Sequence, residues 1–219
     1  MTEIVLNAII TIGVIAYSVS ASLIAIDHRV DMFGVMVLAA ITSFGGGMTR
    51  DLLLGNLPPL LFRDPFYYIL AGISVTTALI VFWIARFLQE KFVAREKLID
   101  QITNIFDAVA LGVFATTGAK TVMDFADHAF LTNGFLVITL GTLTAVGGGM
   151  IRDVMIREVP FVLRKRVYAV AAILGASAYY LLVRLGAFET AALIVGCVLC
   201  TALRLCATAF KWNFPRALP

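Results

Sequence analysis

Charged residues are scarce in this sequence. Asp, Glu, Lys and Arg make up only 14% of its 219 residues, whereas a soluble domain carries about a quarter. Hydrophobic residues account for 61% of the chain, and the mean hydropathy is +0.96. This composition excludes an ordinary soluble protein. It predicts an integral membrane protein with no room for a sizeable soluble domain.

Residues that commonly carry enzyme chemistry are also few. The two histidines, His28 and His128, have no ligand partners at metal spacing, and no Ser-His-Asp set, phosphate loop or zinc pattern occurs. We therefore expect neither an enzyme nor a resident cofactor or metal. Cys197 and Cys200 would share a helix face, but buried cysteines usually serve as small packing residues. The N-terminus lacks the basic region and cleavage site of a signal peptide.

Apolar runs long enough to span a membrane, at about 20 residues each, occur seven times. They predict an all-α membrane protein in one transmembrane domain over 1–219. The expected spans are residues 4–26, 33–54, 66–88, 105–125, 131–156, 167–183 and 188–210.

A glycine motif occurs twice inside these runs. The first copy is Gly45, Gly46, Gly47, Met48, Thr49, Arg50, Asp51, and the second is Gly147, Gly148, Gly149, Met150, Ile151, Arg152, Asp153. Each glycine weakens a helix by about 1 kcal/mol relative to alanine, and a charge at the bilayer centre costs at least about 2.5 kcal/mol. We interpret the triplets as kinks that break helices two and five and free carbonyls for cations. The alternative is that they only let helices pack closely.

The motif spacing also predicts an inverted repeat. Pro58 and Pro160 keep the offset of the two motifs, and Gly13 to Ala16 resembles Gly112 to Ala115. Residues 4–88 would therefore repeat as residues 105–184, with residues 188–210 as a seventh, packing or assembly helix. Because three spans is an odd number, the second repeat enters from the opposite face.

The distribution of Lys and Arg among the loops predicts how the chain is oriented in the membrane. One side would carry Arg29, the basic residues of 86–97 and 157–166, Lys211 and Arg216, and the other only Arg63 and Arg184. We expect the first side to be cytoplasmic, with the N-terminus outside and the C-terminus inside.

Each motif arginine should pair within its own half, or with carbonyls that the glycines free, because inversion separates the two motifs by about 10 Å or more along the membrane normal. Arg50 with Asp51 and Arg152 with Asp153 could serve ion binding, or could only pin a helix end.

Polar residues in spans one and four are candidates for a wet path beside the triplets. These are Tyr17, Ser18, Thr116 and Thr117, although each hydroxyl could equally join two helices. Lys120 could gate such a path, pair with Asp124 one turn away, or reach the interface. Asp107 could attract cations at a pore mouth or end a helix in solvent.

Together these features resemble the trimeric intracellular cation channels in their prokaryotic form, sequences also grouped as small membrane proteins with a proposed glycine-transporter role. The resemblance covers essentially the whole chain. It implies a homotrimer in a prokaryotic inner membrane, with a pore for potassium and other monovalent cations between helices one, two, four and five of each protomer.

The resemblance also implies lipid contacts and no nucleic-acid partner. Animal members carry a Lys-Glu-Val motif that bears on gating and on phosphoinositide binding. Here the corresponding residues are Lys120, Thr121 and Val122, so the lysine matches and the glutamate does not. Lipid regulation is therefore not implied.

Two other functions are compatible with the same sequence. One is a secondary transporter for glycine or a similar small amino acid, since inverted repeats with broken helices suit transporters equally. The other is a structural oligomer without transport, in which the triplets would serve assembly alone.

Overall fold

Nine α-helices form the described part of the chain. The computed structural model describes residues 2–88, 96–125, 133–164 and 167–212. The helices are α1 (Thr2–Asp27), α2 (Met32–Leu54), α3 (Leu60–Arg63), α4 (Pro65–Phe87), α5 (Glu96–Asp124), α6 (Gly134–Met155), α7 (Phe161–Arg164), α8 (Tyr168–Arg184) and α9 (Glu189–Ala209). The all-α prediction is confirmed.

Six of these helices are long and apolar enough to cross a membrane, namely α1, α2, α4, α5, α6 and α9. The sixth expected span is the 17-residue apolar helix α8, about 25 Å long at 1.5 Å per residue. Whether α8 crosses the bilayer, and hence the count of seven spans, stays a prediction.

The helix bounds follow local capping chemistry. The side chains of Asp31, Asp64 and Asn133 each accept a hydrogen bond from the backbone N–H two or three residues later, at the starts of α2, α4 and α6. Such caps satisfy N–H groups that have no partner inside the helix. Gly55 ends α2 in the left-handed conformation, with φ at 70°, which glycine adopts without steric cost.

Two features of the chain differ from the sequence-based expectation. α5 begins at Glu96 and not near residue 105. Its first residues include Glu, Lys and Gln, which favour helix, whereas their low hydropathy had assigned them to a linker. The four-residue helices α3 and α7 were not expected, and they begin directly after Pro59 and Pro160.

The long helices form a bundle with two distinguishable ends. Lys120, near the end of α5, contacts Glu189 at the start of α9, so α5 ends where α9 begins, and we call this the Lys120 end. At the opposite end, which we call the Asp107 end, His28 after α1 lies 3.6 Å from Glu158 after α6. α2 packs on α6 and α5 packs on α1, so the two expected repeats meet in the bundle centre.

Several residues that bear on the expected orientation lie outside the described residues, namely Lys91, Arg95, Lys165, Arg166 and Arg216, as does His128.

Candidate functional site

The two glycine triplets meet where α2 crosses α6. A methyl group placed on Gly46 would overlap the carbonyl oxygen of Thr144, and one placed on Gly148 would overlap that of Thr42. The Cα of Gly46 lies 3.1 Å from the position that a Cβ on Gly147 would take. Only residues without a side chain allow two backbones to approach this closely.

Both helices run through their triplets without interruption, from Met32 to Leu54 and from Gly134 to Met155. The expectation that the triplets break these helices is therefore wrong. The close helix contact accounts for Gly46, Gly147 and Gly148, because backbone packing there offsets their weak helix propensity. A bend of the helix axis at the triplets stays a prediction.

The first motif pair forms a compact ion pair beside α3. Arg50 donates from Nε and NH2 to Oδ1 of Asp51, at 2.9 and 2.7 Å. The other carboxylate oxygen of Asp51 accepts a hydrogen bond from the backbone N–H of Leu60, the first residue of α3, at 2.9 Å. Asp51 thus neutralises the arginine and caps the short helix after Pro59.

The second motif repeats this arrangement in a more buried setting. Arg152 donates from Nε to Oδ1 of Asp153 at 2.9 Å, and Oδ2 of Asp153 accepts from the backbone N–H of Phe161 at 2.8 Å. NH2 of Arg152 lies 2.8 Å from the same Oδ1 in an ion-pair contact without hydrogen-bond geometry. NH1 lies 3.8 Å from Asp107. Each motif arginine therefore pairs with the adjacent aspartate of its own half.

A cavity lies between α1, α2, α5 and α6, with α3 and Tyr67 of α4 on its border. The cavity volume that water-sized molecules can occupy is about 30 Å³, and the cavity is partly open to the surroundings. Its polar lining consists of Ser43, Arg50, Asp51, Tyr67, Thr117, Thr121 and Thr144. Arg50 and Asp51 form an ion pair, and the remaining polar residues of this lining all carry hydroxyl groups.

The matching region toward the Asp107 end is filled by side chains. Tyr17 donates a hydrogen bond to the carbonyl oxygen of Ala145, and its ring stacks on Phe114 at 5.2 Å between centroids. Asp107 is fully buried beside Arg152, so it does not end a helix in solvent. The guanidinium of Arg204, from α9, lies 5.1 Å from the ring centroid of Tyr168. The two halves of the protein thus share the arrangement of their helices and motif ion pairs, but different side chains surround the two pairs.

Of the other hydroxyl candidates, Ser18 joins helices, whereas Thr116 and Thr117 bond within α5. Ser18 lies 2.8 Å from Ser74 of α4 and 3.2 Å from Ser43 of α2, between Oγ atoms. Thr116 bonds only to carbonyls of its own helix and is fully buried. Thr117 lines the cavity while donating to the carbonyl of Val113.

Lys120 points away from the cavity lining. Its Nζ lies 2.8 Å from Oδ2 of Asp124 and 2.5 Å from Oε1 of Glu189. Its side chain is only 14% exposed. Asp124 was an expected partner of Lys120, whereas Glu189 was not. The sequence signal for this contact was the acidic residue Glu189 at the start of the seventh expected span, which stands outside the repeat.

Comparison with known proteins places the chain among membrane proteins. A family model described as "Glycine transporter" matches residues 7–86 and again residues 104–184, two ranges that correspond to the expected repeats. A UPF0126 membrane protein of Vibrio cholerae is 35% identical, over 92% of this chain and 77% of its own. The UPF0126 inner membrane protein YadS of Escherichia coli is 32% identical, over 92% and 90%.

Two solved structures share the whole fold. A prokaryotic TRIC channel crystallised in 0.5 M KCl is 32% identical and superposes with a TM-score of 0.83, covering 97% of this chain and all of its own. The TRIC trimeric intracellular cation channel orthologue of Rhodobacter sphaeroides is 29% identical with a TM-score of 0.80, covering 95% and 99%. These relatives and the six long apolar helices of the described residues together establish that the chain is a multi-pass membrane protein.

Proposed function

Because this chain belongs to the family that contains the prokaryotic TRIC channels and the UPF0126 membrane proteins, we propose that it conducts monovalent cations across the membrane. The observation that carries the proposal is the cavity between α1, α2, α5 and α6, the four helices between which the family resemblance implies a pore. Hydroxyl and carbonyl oxygens can replace part of the hydration shell of a potassium or sodium ion.

The path would run from the Lys120 end, past Thr121 and Thr117, to Thr144 beside the glycine crossing. Farther on, the stacked rings of Tyr17 and Phe114 and the buried charges around Asp107 stand in the way. The proposed cation path is therefore closed toward the Asp107 end in this conformation. Conduction would require Tyr17 to leave the carbonyl of Ala145.

The finer architecture belongs to the same proposal. The chain would form one domain of two inverted repeats with seven spans, the N-terminus outside and the C-terminus in the cytoplasm of a prokaryotic cell. It would assemble as a homotrimer in contact with lipid, each protomer holding its own pore, because related TRIC channels are trimeric. We expect no enzymatic activity.

A second candidate is a transporter for glycine or a similar amino acid, which the description of the matching family model favours. Arg50 lines the cavity, and its guanidinium could hold the carboxylate of an amino acid. However, two of its donors already bind Asp51. A carboxylate substrate would have to compete with that aspartate.

Flux measurements on purified protein in liposomes separate the two functions. A channel predicts potassium efflux that rises in proportion to the gradient without saturating at millimolar concentrations, and no accumulation of labelled glycine. A transporter predicts saturable glycine uptake with little potassium efflux. Saturable glycine uptake without potassium flux would contradict the proposal.

A further inference from the structure

Lys120 is held at the centre of a polar network that ties together three helices. Besides the contacts with Asp124 of its own helix and with Glu189 of α9, the hydroxyl of Tyr179 on α8 lies 3.3 Å from the same Glu189 oxygen. Asp124 is the more exposed partner, with 57% of its side chain accessible against 37% for Glu189. The better-shielded contact of Lys120 is therefore the one with α9.

The network lies next to the cavity on the surface of α5. Thr117 and Thr121 line the cavity. At about 100° per residue, the side chain of Lys120 projects about 60° from Thr117 and about 100° from Thr121 around the helix axis. Lysine has a flexible four-carbon stem, so an untethered ammonium group could turn toward the cavity without any movement of the backbone.

We propose that Glu189 is a positioning residue that holds the charge of Lys120 away from the cation path. This inference rests on the proposed channel function. It gives α9 a role in permeation: its first residue keeps a fixed positive charge out of the cavity mouth. If Glu189 loses its charge, Lys120 turns into the mouth and repels the permeant cation.

Conductance of Glu189→Gln at two ionic strengths tests the electrostatic part. The Debye length is about 30 Å at 0.01 M salt and about 3 Å at 1 M, so the repulsion acts mainly in dilute salt. We expect the variant's unitary conductance to fall at least about threefold in 0.01 M KCl, and by less than about 1.5-fold in 1 M KCl, through the same screening. An equal loss at both ionic strengths would overturn the inference.

Two matched variants separate positioning from structural damage. The double variant Lys120→Gln with Glu189→Gln removes the charge that repels, so it should recover the dilute-salt conductance. A purely structural role predicts no recovery. Asp124→Asn removes the other acidic partner of the same lysine, and it should cause less than half the loss, because Glu189 still holds Lys120.

A chemical readout tests the positioning without any current. In the unmodified protein Lys120 is 14% exposed and should react slowly with a water-soluble amine reagent, with the modified residue identified by mass spectrometry. Glu189→Gln should raise the rate at Lys120 at least about threefold while leaving Lys97 and Lys211 unchanged. An unchanged rate at Lys120 would overturn the inference even if the protein conducts. Faster modification of Lys120 in a protein without potassium flux would support the positioning and contradict the channel function.

Discussion

Replacing Gly46 by alanine should force α2 and α6 apart at their crossing. The added Cβ would overlap the carbonyl oxygen of Thr144, and it would lie 2.9 Å from the carbonyl carbon and 3.2 Å from the backbone nitrogen of Gly148. Carbon atoms pack best at about 3.5–4.0 Å. The obstacle is backbone, which cannot rotate away as a side chain can, so the helices would have to separate by roughly 1 Å or more.

The magnitude can be isolated with a control in the same triplet. A Cβ on Gly47 would meet only NH2 of Arg50, at 3.8 Å. Both substitutions gain the same helix propensity, up to about 1 kcal/mol. Their difference should therefore equal the overpacking cost, about 1–3 kcal/mol. Gly72→Ala in α4, where a Cβ meets nothing within 4 Å, is a second control.

Thermal unfolding in detergent, followed by tryptophan fluorescence, measures this difference. At about 2–4 °C per kcal/mol for a chain of this size, Gly46→Ala should unfold about 2–12 °C below Gly47→Ala. Gly148→Ala should behave like Gly46→Ala, and the double variant should lose less than the sum, because the first substitution already separates the helices. Equal midpoints for Gly46→Ala and Gly47→Ala would refute the assignment of the glycines to close packing.

Three further substitutions have expected outcomes. Arg152→Gln should cost about 3–5 kcal/mol, since it removes the cation that faces the buried carboxylates of Asp107 and Asp153, whereas Arg50→Gln beside the cavity should cost less. The midpoints of thermal unfolding in detergent compare the two variants, and a smaller loss for Arg152→Gln would contradict the burial argument. Thr117→Val should lower unitary conductance but change the unfolding midpoint little, because this hydroxyl bonds only to the carbonyl of Val113 in its own helix; unchanged conductance would remove Thr117 from the path. Tyr17→Phe should lose about 1 kcal/mol of stability with its hydrogen bond and raise the open probability in single-channel records, whereas fewer openings would contradict a closing role for Tyr17.

Hydropathy and motif spacing predicted most of the helix plan. The expected spans and the observed helices agree within about three residues, except at the start of α5. That start was missed because charged residues such as Lys97 and Asp100 read as a linker, although their side chains can project into solvent from a helix. The short helices α3 and α7 are below the length at which periodicity carries a signal.

The sequence could not decide between a broken helix and a close crossing at the triplets. Both interpretations need glycine, and only the position of the facing backbone, Thr144 against Gly46 and Thr42 against Gly148, distinguishes them. The partner of Lys120 was hidden for a similar reason. Glu189 is 69 residues away in sequence, so helix spacing could indicate Asp124 alone.

The difference between the two halves was equally invisible in the motifs. Asp107 of α5 lies beside Arg152, and Arg204 of α9 packs on the ring of Tyr168 of α8; no motif spacing connects these residues. The repeated motif predicted similar surroundings for the two pairs, whereas Arg50 lines a cavity and Arg152 is fully buried.

Single-channel recording of the purified protein in a planar bilayer with a KCl gradient tests the central claim most directly. The account predicts unitary currents that reverse near the potassium equilibrium potential and whose amplitude falls in Thr117→Val. A bilayer that stays silent, although the same preparation is folded and takes up glycine saturably in liposomes, would contradict it. The cavity between α1, α2, α5 and α6 would then be a substrate site.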